Sequence, residues 1–179
     1  MDNNIALKDA TVIKHKQAER MPFNMRMINS QLSVNEYLLY LIQQLHIFRT
    51  IEKIGLPFSK LARTANIESD IAELNTKGFH NNKILSATSS YVEYLNSLNY
   101  QQVLPHIYLN YLALMFGGQM MKKAVPSGGK MYDFEDMKTA MQSIRTLQQN
   151  DWSDEVNKGY DFIISIFSEL ELACSSQTM

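Results

Sequence analysis

The sequence predicts an all-α fold, and three observations support that prediction. Only seven glycines and four prolines interrupt the 179 residues, so there are few points at which a helix must end. Between these points, apolar residues recur with a period near 3.6 more often than with a period of 2, which is typical of helices with one buried face. Several segments also begin with a residue that caps a helix N-terminus. We therefore predict a bundle of about seven helices that forms one domain over residues 1–179.

Seven segments carry this pattern, in order from the N-terminus. The first contains LKDATVIKHKQAE, and the second begins at Ser33, three residues before Glu36, which is the spacing of a capping box. Polar KGFHNNK (77–83) separates the third segment from the fourth, and VPSGGKMYD (125–133), the clearest loop, separates the fifth from the sixth. The seventh begins at Ser153, and the two acidic residues that follow suit the positive end of a helix dipole. The predicted helices are 4–19, 33–54, 58–76, 84–99, 101–124, 134–149 and 153–173.

Composition and charge exclude several classes of function. A net charge of −1 gives no electrostatic basis for binding nucleic acid, and no run of eighteen or more apolar residues spans a membrane. The N-terminal segment has neither the apolar block nor the cleavage site of a secretory signal. The single cysteine, Cys174, forms no internal disulfide, and no CxxC or HxxxH spacing indicates a metal site with several protein ligands. We expect a soluble, cytoplasmic protein with no nucleic-acid or membrane partner.

Two consecutive glycines, Gly117 and Gly118, interrupt an otherwise helical segment, NYLALMFGGQMMKK. Glycine inside a helix costs about 1 kcal/mol relative to alanine, so the pair costs about twice that. A helix without side chains at this point lets a flat ligand approach its backbone. The pair could equally mark a helix end or a tight crossing of two helices, so the local pattern leaves both interpretations open.

The first helix carries a histidine, His15, with Glu19 one turn later. In this arrangement a neutral imidazole offers one nitrogen to a metal while the carboxylate holds the other N–H group. A proximal heme ligand with a supporting partner has this pattern. An exposed histidine in a helical ion pair has the same spacing, so the motif alone does not distinguish the two.

Several further segments, taken in order, share motifs with one known family. LKDAT (7–11) and HKQAE (15–19) are similar to the motifs LKEAT and HxQAE of its first helix. The segments similar to its next helices are QLSVNEYLLYLIQQLHIFRTIE, LARTANIESDIAEL and SYVEYLNSL. The family motif YxRYLGDLSGGQxLKK is similar to YLNYLALMFGGQMMKK, and its closing motif FxEL is similar to the end of GYDFIISIFSELE. Over most of its length the chain thus resembles the heme oxygenases, which convert heme to biliverdin.

The resemblance assigns a role to each motif. It implies that His15 is the axial ligand of the heme iron and that Glu19 lies near the other ring nitrogen. It also implies that Gly117 and Gly118 belong to the distal helix over the heme face. There they act in catalysis by bringing backbone to the macrocycle and to bound oxygen.

The resemblance also implies contacts with the heme propionates. Lys8 and Tyr108 match positions that approach these carboxylates. Lys138 and Arg145 are candidates for the remaining propionate partners, which the family takes from its penultimate helix. Without the resemblance, the basic residues among these are most simply interpreted as side chains on solvent-exposed helix faces.

The chain departs from the family motif at three positions of the glycine segment. Ala113, Leu114 and Phe116 stand where the family commonly has glycine, aspartate and serine. That aspartate anchors the water network that delivers protons to bound oxygen, and leucine cannot do this. The expected substitutes are Gln119, Tyr108, Asn110 or ordered water. Phe116 is also expected to narrow the space over the ring.

The leading expectation is a soluble heme oxygenase that cleaves heme to biliverdin, CO and Fe(II) with O2 and external electrons. The resemblance implies an electron donor such as ferredoxin and a bilin reductase acting downstream. We expect no membrane anchor after Leu172, and in this the chain resembles the microbial, plastid or viral forms of the family. The expected location is the cytoplasm, which would be that of the host if the protein is viral. One alternative is a heme-binding, storage or sensing protein without turnover. Another is a fold relative that acts on a thiamine-like or quinone-precursor ligand and has no affinity for heme.

Overall fold

The computed structural model describes residues 5–176, which form nine α-helices and no β-strand. The prediction of an all-α fold is confirmed. None of the described helices is both long and apolar enough to cross a bilayer. Three short 3-10 helices lie between the α-helices, at Ser59–Leu61, Lys130–Tyr132 and Asn150–Trp152. The α-helices are α1 (Leu7–Ala10), α2 (Val12–Glu19), α3 (Pro22–Ile28), α4 (Val34–Ile54), α5 (Thr64–Thr76), α6 (Ser86–Asn96), α7 (Tyr100–Ala124), α8 (Met137–Arg145) and α9 (Ser153–Ser175).

The helix boundaries differ from the predicted ones at several places, and α8 is shorter than the predicted 134–149 at both ends. The first predicted helix is divided at Thr11, whose φ of −111° and ψ of 0° interrupt regular helix geometry. Helix α3 was missed, because its seven residues are too few for a clear periodic pattern and Pro22, which stands at its start, reads as a breaker. Helix α5 begins later than predicted, because the Glu52 carboxylate accepts the backbone N–H groups of Arg63 and Thr64 and so caps the helix there.

Helices α4 and α7 form the centre of the core. Helix α4 packs against α5, α6 and α7, and α7 also packs against α3, α8 and α9. Phe48 of α4 meets Tyr111 of α7 edge-on, with 4.9 Å between ring centroids. The capping box predicted at the start of α4 is present: Ser33 Oγ accepts the N–H of Glu36 at 3.3 Å, and the Glu36 carboxylate accepts the N–H of Ser33 at 2.7 Å.

Helix α9 lies against both α2 and α7 and therefore links them. On the α2 side, Lys14 Nζ lies 2.6 Å from Asp161 Oδ1, and Asn157 Nδ2 donates to the carbonyl of Ala10 at 3.2 Å. On the α7 side the two backbones approach closely at Gly159. A Cβ atom there would lie 2.5 Å from Cδ2 of Leu109, so any larger residue requires the Leu109 side chain to shift.

The loop after α7 is held in place by side chains of α5. The Asp70 carboxylate accepts the N–H groups of Lys130 at 3.0 Å and Met131 at 2.9 Å. The buried guanidinium of Arg63 donates to the carbonyl of Met131 at 3.4 Å and to other carbonyls around it. These bonds fix Tyr132, which is buried, against α7.

A buried polar network joins α6, α7 and α9. Asn110 Nδ2 donates to the Tyr91 hydroxyl at 3.0 Å, and that hydroxyl lies 2.7 Å from Nδ1 of His106. Nε2 of His106 lies 2.9 Å from Oε1 of Glu155, which also accepts the Tyr94 hydroxyl. Burial lowers the pKa of His106 and outweighs the attraction of Glu155. A neutral His106 satisfies the network, because it accepts from Tyr91 at Nδ1 and donates to Glu155 at Nε2.

The neutral state of His106 predicts how stability depends on pH. Because the pKa of His106 is lower in the folded than in the unfolded protein, the unfolded state takes up the proton first as pH falls. We expect the free energy of unfolding to fall from about pH 7 to pH 5, and His106→Gln to remove part of this slope. Urea unfolding at a series of pH values measures it. The pKa of Glu155 is also lowered, but its effect lies below this window.

The matched variant for this experiment is His46→Gln. Burial also lowers the pKa of His46, which is only partly buried, so this variant is expected to remove a smaller part of the slope. An unchanged slope in His106→Gln would show that His106 is not held neutral by the fold.

Candidate functional site

Helix α2 presents His15 and Glu19 to solvent as a pair. Nε2 of His15 lies 3.1 Å from Oε1 of Glu19, and the His15 side chain is 51% exposed. The ring of Tyr160 on α9 lies beside the imidazole, with 6.0 Å between centroids and a 44° angle between planes. One ring nitrogen is therefore held by the carboxylate, and the other is left for a ligand.

Helix α7 has an apolar face that the described residues leave exposed. Ala113, Phe116, Gly117 and Met120 follow the spacing i, i+3, i+4 and i+7, which places them on one side of the helix. The side chain of Phe116 is 64% exposed and that of Met120 is 57% exposed. Large apolar side chains exposed together on one face are typical of a ligand or partner site.

The two glycines of α7 lie on different sides of the helix. A Cβ atom on Gly118 would meet Tyr132 at 3.5 Å, so Gly118 faces the loop after α7 and is buried. A Cβ atom on Gly117 would meet only Cγ of Met121, at 3.9 Å, so Gly117 faces open space. Of the two residues predicted to bring backbone to a ligand, Gly117 belongs to the exposed face, whereas Gly118 makes its contact inside the protein.

Arg145 lies across one edge of this exposed face. Its guanidinium stands 5.5 Å from the centroid of the Phe116 ring. Burial raises the pKa of Tyr108, and the positive charge of Arg145 is close enough to oppose that rise. Tyr108 is half-buried and meets Trp152 edge-on, with 6.5 Å between ring centroids.

Tyr160 joins the two helices that carry the candidate motifs. Its ring lies beside His15 of α2, and burial raises the pKa of its hydroxyl, with smaller contributions from Tyr108 of α7 and Glu19 of α2. Tyr160, Tyr108 and Trp152 also pack around a small apolar cluster formed by Leu7, Leu109 and Val156. We use the name groove for the part of the surface that carries His15 and Glu19 of α2, Tyr160 of α9, and the exposed face of α7.

The two remaining basic candidates differ from Arg145. Lys8 lies on α1 and is exposed. Lys138 is exposed in the first turn of α8, seven residues before Arg145, so their backbones stand about 10 Å apart along the helix. Its electrostatic contact is with Asp136. The structure thus brings Arg145, and not Lys138, to Tyr108 and Phe116.

The residues considered for proton supply are also separated. Leu114 is buried, and Asn110 is engaged in the network with Tyr91 and His106. Gln119 is exposed, and Tyr108 stands at the edge of the groove.

Sequence reasoning missed Tyr160 and the buried His106. Tyr160 follows Trp152 and Val156 at intervals of four, which is a readable helical stripe. His106 carries no such signal, because its partners Tyr91 and Glu155 come from distant parts of the chain.

Comparison with known proteins identifies a family and a fold. The family model described as heme oxygenase matches residues 2–156. Heme oxygenase-1 from the cyanobacterium Synechocystis sp. PCC6803, solved in complex with heme, superposes with a TM-score of 0.78 and 19% identity, covering 96% of this chain and 95% of that chain. Heme oxygenase from Leptospira interrogans has a TM-score of 0.78 and 21% identity, covering 94% of this chain and 100% of that chain.

Heme oxygenase-2 from Synechocystis sp. PCC 6803, solved with heme and NO, has a TM-score of 0.79 and 16% identity, covering 96% of this chain and 86% of that chain. A search of curated protein sequences returned no significant match. At these identities the structural matches describe the fold.

The different surroundings of the glycines predict different effects of the same substitution. Gly118→Leu forces a side chain against Tyr132 and is expected to lower the free energy of unfolding by about 1–3 kcal/mol. Gly117→Leu enters open space and replaces a poor helix former, so stability is expected to stay equal or rise by up to about 1 kcal/mol. Urea unfolding of the protein without ligand measures both. Equal destabilisation by the two substitutions would contradict this geometry.

Proposed function

The chain belongs to the heme oxygenase family, and from this premise we propose that it opens heme to biliverdin with release of carbon monoxide and ferrous iron. The observation that carries the proposal is the exposed His15–Glu19 pair on α2, together with the exposed apolar face of α7 that is bare at Gly117. When bound, heme supplies both the iron that activates O2 and the macrocycle that is oxidised.

On the α2 side, the residues present fit an axial ligand. His15 would bind the iron through the ring nitrogen that Glu19 does not hold. The Glu19 carboxylate at 3.1 Å would fix the orientation of the imidazole and raise its basicity. The Tyr160 ring would limit the movement of the imidazole from the other side.

On the α7 side, Gly117 allows close approach of the helix backbone. With no side chain there and with Ala113 one turn earlier, the backbone could contact the flat face of a ligand. Phe116 and Met120, exposed in the described chain, would lose water when heme enters, which favours binding through the hydrophobic effect.

The rim of the groove suits the two carboxylates of heme. Arg145 and Tyr108 are neighbours at one edge and could donate to a propionate, and Lys8 of α1 is exposed and positively charged. Lys138 remains a weaker candidate, because its electrostatic contact is with Asp136.

Proton supply would differ from the common motif of the family. Leu114 offers no polar atom, and Asn110 already donates to Tyr91 and to the carbonyl of His106. The Tyr108 hydroxyl, which burial keeps protonated, and the Gln119 amide are the groups of α7 that could order water near bound O2.

We further propose that electrons come from an external donor such as ferredoxin and that a bilin reductase consumes the product. The cytoplasmic location predicted from the single cysteine agrees with such partners. A second candidate function is heme binding, storage or sensing without turnover, and the buried Leu114 favours it because it removes the usual anchor for the proton-bearing water network.

The test of the leading proposal is an absorption time course. The purified protein receives one equivalent of heme and then a ferredoxin-based reducing system with catalase present. We expect a histidine-ligated Soret band to decay into the broad red band of biliverdin. A stable heme complex that never decays would favour the binding protein, and absence of any complex would overturn both candidates.

His15→Ala is the variant that tests the ligand. We expect loss of the histidine-ligated spectrum and of product, with His46→Ala of α4 as the matched histidine control that keeps both. A spectrum unaltered by His15→Ala would mean that another residue binds the iron.

The rim predicts a difference between two basic residues. Arg145→Gln is expected to weaken heme affinity about two- to five-fold, the size of one exposed ion pair, whereas Lys138→Gln leaves it unchanged. Titration of the Soret band measures both. With heme dimethyl ester, whose propionates carry no charge, the two variants should bind alike, and a persisting difference would mean that Arg145 acts through something other than a carboxylate.

A further inference from the structure

Phe116 is the bulkiest side chain on the exposed face of α7. It directly precedes Gly117, so the two residues point about 100° apart around the helix. Ala113 and Gly117 make one part of the face flat. The side chain of Phe116 is 64% exposed and lies where this face meets Arg145 of α8. The wall of the groove is therefore asymmetric, with an open side and a side that carries an aromatic ring.

Arg145 gives this ring a defined partner. The guanidinium of Arg145 lies 5.5 Å from the ring centroid, and its charge acts on the neighbouring Tyr108. Arg145 has no carboxylate among the ion pairs of the described residues. A long, exposed arginine side chain samples many rotamers unless something holds it, and stacking on Phe116 limits that freedom.

Phe116 thus combines two effects at one edge of the groove. The ring itself excludes the edge of a flat ligand from that position. Through its contact with Arg145 it also holds a positive charge at this edge, where a carboxylate of the ligand would bind. Both effects act on the rotation of a disc-shaped ligand about the axis perpendicular to its plane.

We propose, on the basis of the function proposed above, that Phe116 with its partner Arg145 determines the rotational seating of heme in the groove and thereby which meso carbon is oxidised. Because the ring of heme is nearly symmetric, its rotation is set by contacts at its periphery. Phe116 supplies a steric contact on the distal side, and Arg145 supplies the charge for one propionate. The family motif has serine at the aligned position, which offers neither an aromatic surface for Arg145 nor bulk.

The experiment compares wild type with Phe116→Ser, Phe116→Leu and Leu172→Ala. Because Phe116 is exposed, its substitution is expected to leave the fold intact. Proton NMR of the ferric, cyanide-bound heme complex reports the shifts of the heme methyl groups, which identify each seating without turnover. Chromatography of the biliverdin isomers then reports the carbon attacked.

We expect Phe116→Ser to change the ratio of seatings about two- to five-fold, the size of one exposed cation–π contact, and to change the isomer ratio in the same direction. Phe116→Leu keeps a bulky side chain but loses the contact of the aromatic ring with Arg145. Its ratio of seatings should therefore lie between the ratios of wild type and Phe116→Ser. Leu172→Ala is the control: Leu172 is also a large exposed apolar side chain, but it lies about three turns beyond Tyr160 on α9, away from the groove, and should retain the wild-type pattern.

The possible outcomes are distinct. A wild-type methyl pattern and isomer ratio in Phe116→Ser would overturn the proposal, as would an equal change in Leu172→Ala. If wild type forms no heme complex, the proposed function fails as well. If Phe116→Ser changes the seating in the NMR spectrum while no variant yields biliverdin, the role of Phe116 in seating stands and the proposed turnover fails.

Discussion

The close packing of α9 on α7 at Gly159 is the constraint on which the groove depends. A Cβ atom at Gly159 would lie 2.5 Å from Cδ2 of Leu109 and 3.2 Å from Nδ1 of His106, so any larger residue requires these side chains to shift. The same helix contacts α2, where Asp161 pairs with Lys14. Helix α9 therefore packs against both the helix that carries His15 and the helix that carries the two glycines, and a change in the α7–α9 packing would alter their relative position.

The two sides of α7 serve different purposes. On one side, Gly118 packs on Tyr132, and the buried Arg63 and Asp70 bind the backbone of the loop that carries this tyrosine. On the other side the apolar face remains uncovered. Leaving such a face in water costs free energy of folding that a ligand recovers on binding. The loop thus packs against the buried side of α7, and the opposite side of the helix remains exposed.

The sequence predicted those features of the site that arise within one helix. The pairing of His15 with Glu19 could be read from their spacing, because i and i+4 side chains always meet on a helix surface. The different roles of the two glycines could not be read, because they depend on Tyr132, which another segment brings into contact. For the same reason the sequence did not indicate which of Arg145 and Lys138 lies beside Phe116. Helix α3 and the division at Thr11 were missed, since short helices give weak periodicity.

The departures from the motif of the glycine segment all lie on α7, at Ala113, Leu114 and Phe116, of which Leu114 is buried, whereas the His15–Glu19 pair lies on α2. If α2 provides the ligand and α7 controls oxygen and protons, heme affinity and turnover depend on different helices. Leucine in place of aspartate removes a carboxylate that accepts hydrogen bonds from water. The hydroxyl of the half-buried Tyr108 can both donate and accept hydrogen bonds. Proton delivery in this chain would therefore rest on hydroxyl groups and water at the rim, and not on a carboxylate above the ring.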